Sequence, residues 1–230
     1  VRMTTRFSEQ NWPEGIMGLI HEAGHAMYEQ GRRTGAHDAL PVSEPLSYGV
    51  HESQSLLWER CVGQSEQFWE WALPVAARSL PHLAAPDVTP RGAYEALNQV
   101  RPSLIRVDAD EVTYSFHILV RFEIERALFD GSLKVADLPR VWNEKMQAYL
   151  GVAPSSDTDG VLQDVHWSGA AFGYFPSYSL GAMMAVQIFE AACRELPSLQ
   201  SDIARGEFGA LRSWLNEKVH RVGSLYPSPD

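Results

Sequence analysis

His21, Glu22 and His25 stand in the order HExxH. Residues four apart on a helix share a face, so the two imidazoles can meet at one ion. Glu22 lies beside that ion without having to bind it, and there it can take a proton from an attacking water. A zinc hydrolase needs three protein ligands and one open position, so the third must come from elsewhere. The candidates are His37, His51, Glu52, His117 and His166. His51 and Glu52 lie one loop downstream, where an antiparallel second helix would return either to the histidine pair. One helical turn does not present both with equal ease. The alternatives are an ordinary helix with two histidines, and a solvated acid at position 52.

Two further stretches carry polar chemistry. Arg106 lies in Ile105-Arg106-Val107-Asp108-Ala109-Asp110, where its guanidinium could grip a carboxylate by paired hydrogen bonds or simply pair with Asp108 or Asp110. Residues 160–167 read GVLQDVHW. Gln163 and His166 offer that loop more hydrogen-bonding groups than a connection needs. His166 could donate to a transition-state oxygen or substrate carbonyl, or be a satisfied loop histidine. Tyr114, Tyr174 and Tyr178 could donate phenols to an oxyanion, or be buried structural rings.

These residues need elements to hold them. Val1 to Phe7 alternates like a short strand. Pro13 to Gln30 reads as a helix, with Pro13 and Glu14 in its first turn and Gly31 as its stop. Ile16, Met17, Leu19, Ile20, Ala23 and Met27 supply its buried faces, and Gly24 leaves a gap for another backbone or a substrate. A loop over 31–44 leads to a second helix from Pro45 to about Val62. An apolar run follows from Phe68 to Leu80, then a helix over Val88–Val100 entered at Thr89-Pro90. Val112–Phe129 repeats Phe116, Leu119, Val120, Ile124 and Leu128 at helical spacing. Asp137 caps a helix ending at Leu150, with Gly151 as its stop. Pro154 to Gly173 is loop. Ser179–Leu196 is apolar nearly all round and is expected deep in the core. Glu207–Val222 is a last amphipathic helix.

Composition fits a globular protein of one catalytic region: 230 residues, 45% hydrophobic, 21% charged. A net charge of −10 argues against a nucleic-acid surface. No stretch approaches the ~20 apolar residues of a membrane helix, and the polar start carries no signal-peptide core. Cys61 and Cys193 could pair, but two cysteines in 230 residues read more often as reduced thiols of a cytoplasmic protein. The first residue is Val1 rather than Met, which suggests a processed chain, an engineered one or part of a longer one.

Taken together, the motifs resemble those of the M32 metallocarboxypeptidases of the Taq type. Arg2-Met3-Thr4-Thr5-Arg6 is similar to the family's DxRxT segment without its leading Asp. His21 to His25 is similar to the zinc helix, and His51-Glu52-Ser53-Gln54 to the HES/GQ block. Ile105 to Asp110 is similar to IRxxAD, and Gly160 to Trp167 to GxxQDxHW. Five ordered blocks over about 165 residues are far more specific than HExxH alone.

The resemblance implies an all-α fold with a small β element near the metal. It implies His21, His25 and Glu52 as ligands of Zn2+, with Co2+ or Mn2+ able to substitute. Glu22 becomes the general base and then the proton donor to the leaving amine. Arg106, with Gln163 and the rest of its block, becomes the anchor for the peptide C-terminus, and His51 and Tyr174 further substrate contacts. Tyr114 becomes the preferred oxyanion donor, with His166 beside it in the catalytic set. The implied protein is a cytoplasmic homodimer acting on peptides, without nucleic acid or membrane. Members are about twice as long as these 230 residues, so the chain reads as the C-terminal portion of a longer peptidase. A dipeptidyl carboxypeptidase or oligopeptidase would use the same metal site. A non-catalytic metal-binding fragment is the reading from another class.

Overall fold

The computed structural model describes residues 2–5, 7–8, 11–32, 37–38 and 40–226. Among them every regular element is helical, which bears out the all-α expectation. The strand expected over Val1–Phe7 is absent from the described residues of that stretch, and no other strand exists there to pair with it. Thr5 instead donates its hydroxyl to the Gly15 carbonyl. Val1 and Arg6 of that pattern, 33–36 and 39 of the following loop, and 227–230 of the tail lie outside the described residues.

The chain forms two compact units, Val1–Leu97 with Gly181–Asp230, and Asn98–Leu180. In the first, α1 (Trp12–Arg32) packs on α2 (Tyr48–Leu56) and on a π-helical segment, Leu57–Gly63, that continues it. The second helix starts later than expected. Pro41–Ser43 is a short 3-10 turn, and Ser47 is the cap of α2, its hydroxyl accepting from the Val50 amide at 3.2 Å. Helix α3 (Glu66–Ala76) runs through Pro74, and α4 (Pro90–Leu97) begins at the expected Thr89-Pro90. The unit is completed by α8 (Leu199–Ile203) and α9 (Gly209–Lys218), together with the later part of α7 (Pro176–Glu195). Its core joins Leu56, Leu57, Val62, Trp69, Ile203, Leu211 and Leu215.

Three readings of side-chain direction are corrected. Gly31 does not stop α1: it is buried within the helix, and a Cβ there would overlap the side chains of Asn216 and His220. Leu19 is exposed rather than buried. Ile16, Ile20, Ala23 and Met27 line an apolar cavity of about 570 Å³ with Trp58 and Trp69, about opposite the two histidines around the helix. Helix α7 is not deep in the core. Gly181, Ala185 and Ala192 face inward, while Leu180, Met183 and Val186 are exposed. Gly181 comes so close to α2 that its missing Cβ would lie 2.7 Å from Glu52 Cβ, so the small residues must point in and the large ones out.

In the second unit, α5 (Glu111–Phe129) is capped by Asp110, which accepts from the Val112 and Thr113 amides at 2.9 Å. Helix α6 (Leu138–Leu150) packs against it and ends at Gly151, whose φ of 70° suits glycine. Val120, Ile124, Trp142 and Met146 form the core between them. Phe116 and Leu119, expected to share that stripe, are exposed. Their place on the inner faces is taken by polar residues: Thr113, His117, Arg121 and Glu125 are all buried.

Candidate metal centre

Helix periodicity puts His21, His25, Glu29 and Arg32 on one stripe of α1. Helix α2 crosses that stripe at very short range, and Gly24 is the reason. A Cβ at position 24 would lie 2.6 Å from the Gln54 carbonyl oxygen and 2.7 Å from Ser55 Cα, both backbone atoms. The gap left by Gly24 is therefore filled by another backbone. Gly24→Ala is expected to destabilise the protein by about 1–3 kcal/mol through overpacking, partly offset by the ~1 kcal/mol better helix propensity of alanine. A urea titration of the variant checks this; an unchanged midpoint would mean the two helices can part freely.

The close crossing brings Glu52 to the histidines. Its Oε2 lies 3.7 Å from both His21 Nε2 and His25 Nε2. One ligand atom from each of the three lies within 4.8 Å of the others, and no other such group occurs among the described residues. Glu52 is buried rather than a solvated acid, and Ser55 donates to its Oε2 at 3.1 Å. A buried carboxylate between two imidazoles suits a dication of zinc type, with its His and carboxylate ligands. Burial, then the neighbouring His21 and His51, pushes His25 down to about 3, so its imidazole is neutral and able to ligate. Burial also works against charge on His21, but the hydrogen bond and charge of Glu59, with Glu52 and Glu22, outweigh it and raise its pKa. The same carboxylates that favour an imidazolium favour a metal cation in its place.

The outer ring of groups was not read from the sequence. Glu59 Oε2 accepts from His21 Nδ1 at 2.7 Å, which leaves Nε2 to face Glu52. His25 Nδ1 meets His51 Nδ1 at 2.6 Å, and His51 Nε2 meets Glu29 Oε1 at 3.0 Å. Burial raises the Glu29 carboxyl, but Arg32 and His51 overcome it and hold Glu29 below the usual carboxylate range. Two signals could have found these acids. Glu29 follows His25 by four residues on the same helix face, and Glu59 follows Glu52 by two turns. Of the other ligand candidates, His37 is exposed in a turn. His117 is fully buried in the second unit, pushed down to about 4 by burial and by Arg121 and Arg106. His166 is in that unit too, its Nε2 3.0 Å from the Tyr178 hydroxyl.

The second unit gathers the remaining candidates around Asp164. Arg106 does not pair with Asp108 or Asp110. Its Nε and Nη2 donate to Asp164 Oδ1 at 3.0 and 2.8 Å, and Nη1 to the Tyr114 hydroxyl at 3.3 Å. Arg121, fully buried, donates from Nε to Asp164 Oδ2 at 2.6 Å and from Nη2 to Gln163 Oε1 at 2.8 Å. Gln163 Oε1 also accepts from the Arg106 amide. Burial would raise Asp164, but Arg121 and Arg106 hold it below the usual range. Two guanidiniums share one carboxylate, so these three side chains sum to a positive charge. Tyr174 lies against His166 at 5.4 Å between ring centres, the rings tilted by 45°, and Tyr178 lies under the Arg106 guanidinium at 4.6 Å.

Comparison with known proteins gives one consistent result. The family model for carboxypeptidase Taq (M32) metallopeptidases matches residues 1–230. The chain is 50% identical over 226 residues to thermostable carboxypeptidase 1 of Thermus thermophilus, covering 98% of this chain and 44% of that protein. It is 44% identical to carboxypeptidase 1 of Bacillus subtilis, covering 97% of this chain and again 44% of the relative. The crystal structure of an M32 carboxypeptidase from Deinococcus radiodurans superimposes with a TM-score of 0.91 at 42% identity, over 97% of this chain and 45% of that one. The chain thus spans a little under half the length of the relatives it matches.

Proposed function

This chain belongs to the carboxypeptidase Taq (M32) metallopeptidase family, and from that premise we propose that it carries the catalytic centre of a zinc carboxypeptidase releasing single residues from peptide C-termini. The observation that carries the reading is the convergence of His21, His25 and Glu52 beside Glu22. His21, His25 and Glu52 would hold Zn2+, or Co2+ or Mn2+ in its place. Bound there, the ion supplies Lewis acidity, which polarises a carbonyl and lowers the pKa of water. Glu22 takes the proton of the attacking water and delivers it to the leaving amine. Tyr114 is the proposed hydrogen-bond donor to the developing oxyanion, with His166 as a second donor. Gln163, Tyr174 and His51 are proposed substrate contacts. The family resemblance is also the ground for expecting a cytoplasmic homodimer of the longer protein.

Arg106 is the proposed anchor for the substrate carboxylate. Its Nε–Nη2 edge is taken by Asp164 and its Nη1 donates to the Tyr114 hydroxyl, so a substrate carboxylate would use the remaining hydrogens of Nη1 and Nη2. In the full-length enzyme, turnover of a free-acid peptide should far exceed that of its amide, and Arg106→Ala should shrink the ratio. Lys at 106 should restore only part of it, because an ammonium lacks the planar fork. The ratio is the quantity to measure, since a folding defect scales both rates alike. An unchanged ratio would make Arg106 a purely structural partner of Asp164. Cleavage of one unblocked tripeptide tests the reaction itself: a single C-terminal amino acid supports the reading, a released dipeptide the dipeptidyl alternative. No hydrolysis by the metal-loaded protein would favour a binding fragment.

A further inference from the structure

The hydrogen bonds behind His25 form a chain whose proton positions follow from its outer end. Arg32 donates to both oxygens of Glu29, from Nε to Oε1 at 3.2 Å and from Nη2 to Oε2 at 2.6 Å. Arg32 is itself buried and held by the Ser43 carbonyl at 2.6 Å. Glu29 is therefore a fixed carboxylate, able only to accept. His51 Nε2, 3.0 Å from Glu29 Oε1, must carry a hydrogen. When His51 carries that hydrogen alone, its Nδ1 presents a lone pair. His25 Nδ1 faces that lone pair at 2.6 Å, a separation that two lone pairs cannot share. His25 Nδ1 must then be the donor, and the His25 lone pair falls on Nε2. That is the atom 3.7 Å from Glu52 Oε2, inside the ligand triad. The Tyr28 and His51 rings meet edge to face, 5.2 Å between centres at 88°.

We propose that Glu29 is a positioning residue of the metal centre: acting through His51, it sets the tautomer of His25 so that Nε2 is free to ligate. The proposal rests on the reading of His21, His25 and Glu52 as the metal site. The two histidines are thus oriented at different removes, His21 directly by Glu59 and His25 by a carboxylate two hydrogen bonds away. Orienting partners of this kind typically change metal affinity by ~10–100-fold.

The test uses the full-length protein, stripped of metal and labelled with 15N-histidine. Two-bond 1H–15N correlations report which ring nitrogen carries the proton, with His25 and His51 assigned from single substitutions. The expected pattern is Nδ1–H at His25 and Nε2–H at His51. In Glu29→Met, which keeps bulk but cannot accept, His25 should show a population with Nε2–H, and zinc affinity measured against a chelator should fall ~10–100-fold. Glu29→Gln, whose carbonyl can still accept from His51, should recover most of the affinity. Nε2–H at His25 in the unsubstituted protein would overturn the proposal, and so would a Glu29→Met protein with unchanged tautomer and affinity. If Glu29→Met does not fold, the spectrum of the unsubstituted protein decides alone. His21→Ala tests the underlying site separately: undiminished zinc binding in that variant would remove the metal-site reading, whatever the tautomers.

Discussion

Glu22→Gln is expected to bind metal as the unsubstituted protein does and to lose ~10²–10⁴-fold in turnover, the usual cost of removing a general base. Glutamine keeps the size and hydrogen-bonding reach of the side chain but cannot take up a proton. Glu22 is half-buried in the middle of α1, one position from His21, and its charge acts on that imidazole. Removing the charge therefore also eases one interaction that favours a cation at the site, which is why metal content must be measured beside the rate. A full complement of metal with a collapsed rate is the expected pair of results. A near-normal rate would remove Glu22 from the mechanism.

Glu52→Ala is expected to empty the centre. The substitution removes one of the three proposed ligands, and the only carboxylate among them. It also leaves His21 and His25 facing each other, with ring centres 4.9 Å apart and no anion between. Affinity should fall by more than the ~10–100-fold typical of an outer partner. His51→Ala provides the internal comparison, since His51 touches His25 rather than the triad's centre. Its loss should stay within the range of an outer partner. Metal retained in Glu52→Ala and lost in His51→Ala would reverse the two roles.

The part of this site legible in the sequence is the part that helix periodicity controls. HExxH places two side chains on one face whatever surrounds the helix, and Thr89-Pro90 and Gly151 mark helix ends by local chemistry, whereas Asp137, expected to cap α6, makes no side-chain cap hydrogen bond. Glu52 needed the motif block to be separated from His51. The geometric reason is now visible: α2 turns Glu52 toward α1 at the crossing allowed by Gly24, while His51 points along α1 toward Glu29. The pairing of Arg106 was not legible. Its partner lies 58 residues away, and Asp108 and Asp110 were nearer in sequence but not in space. The inward faces of α5 and α7 were misread for a related reason. Apolar periodicity identifies a face that seeks cover, but buried ion pairs and close-packed glycines decided which face turned inward.

The support of α2 has a consequence for how the protein is made. Gln54 Oε1 lies 2.9 Å from His220 Nε2 across 166 residues, and the ring of His220 fills the space left by Gly31. Gly181, which lets α7 reach Glu52, is likewise distant in the chain. A ribosome adding ~5–20 residues per second takes on the order of ten seconds to pass from one partner of such a pair to the other. During that interval the nascent chain already holds His21, His25 and Glu52, while the residues that clamp their helices are still unwritten. Within this stretch the three proposed ligands are translated before the residues that clamp their helices, so the centre can be held in place only after His220 is made, with the intervening unit of Asn98–Leu180 completed first.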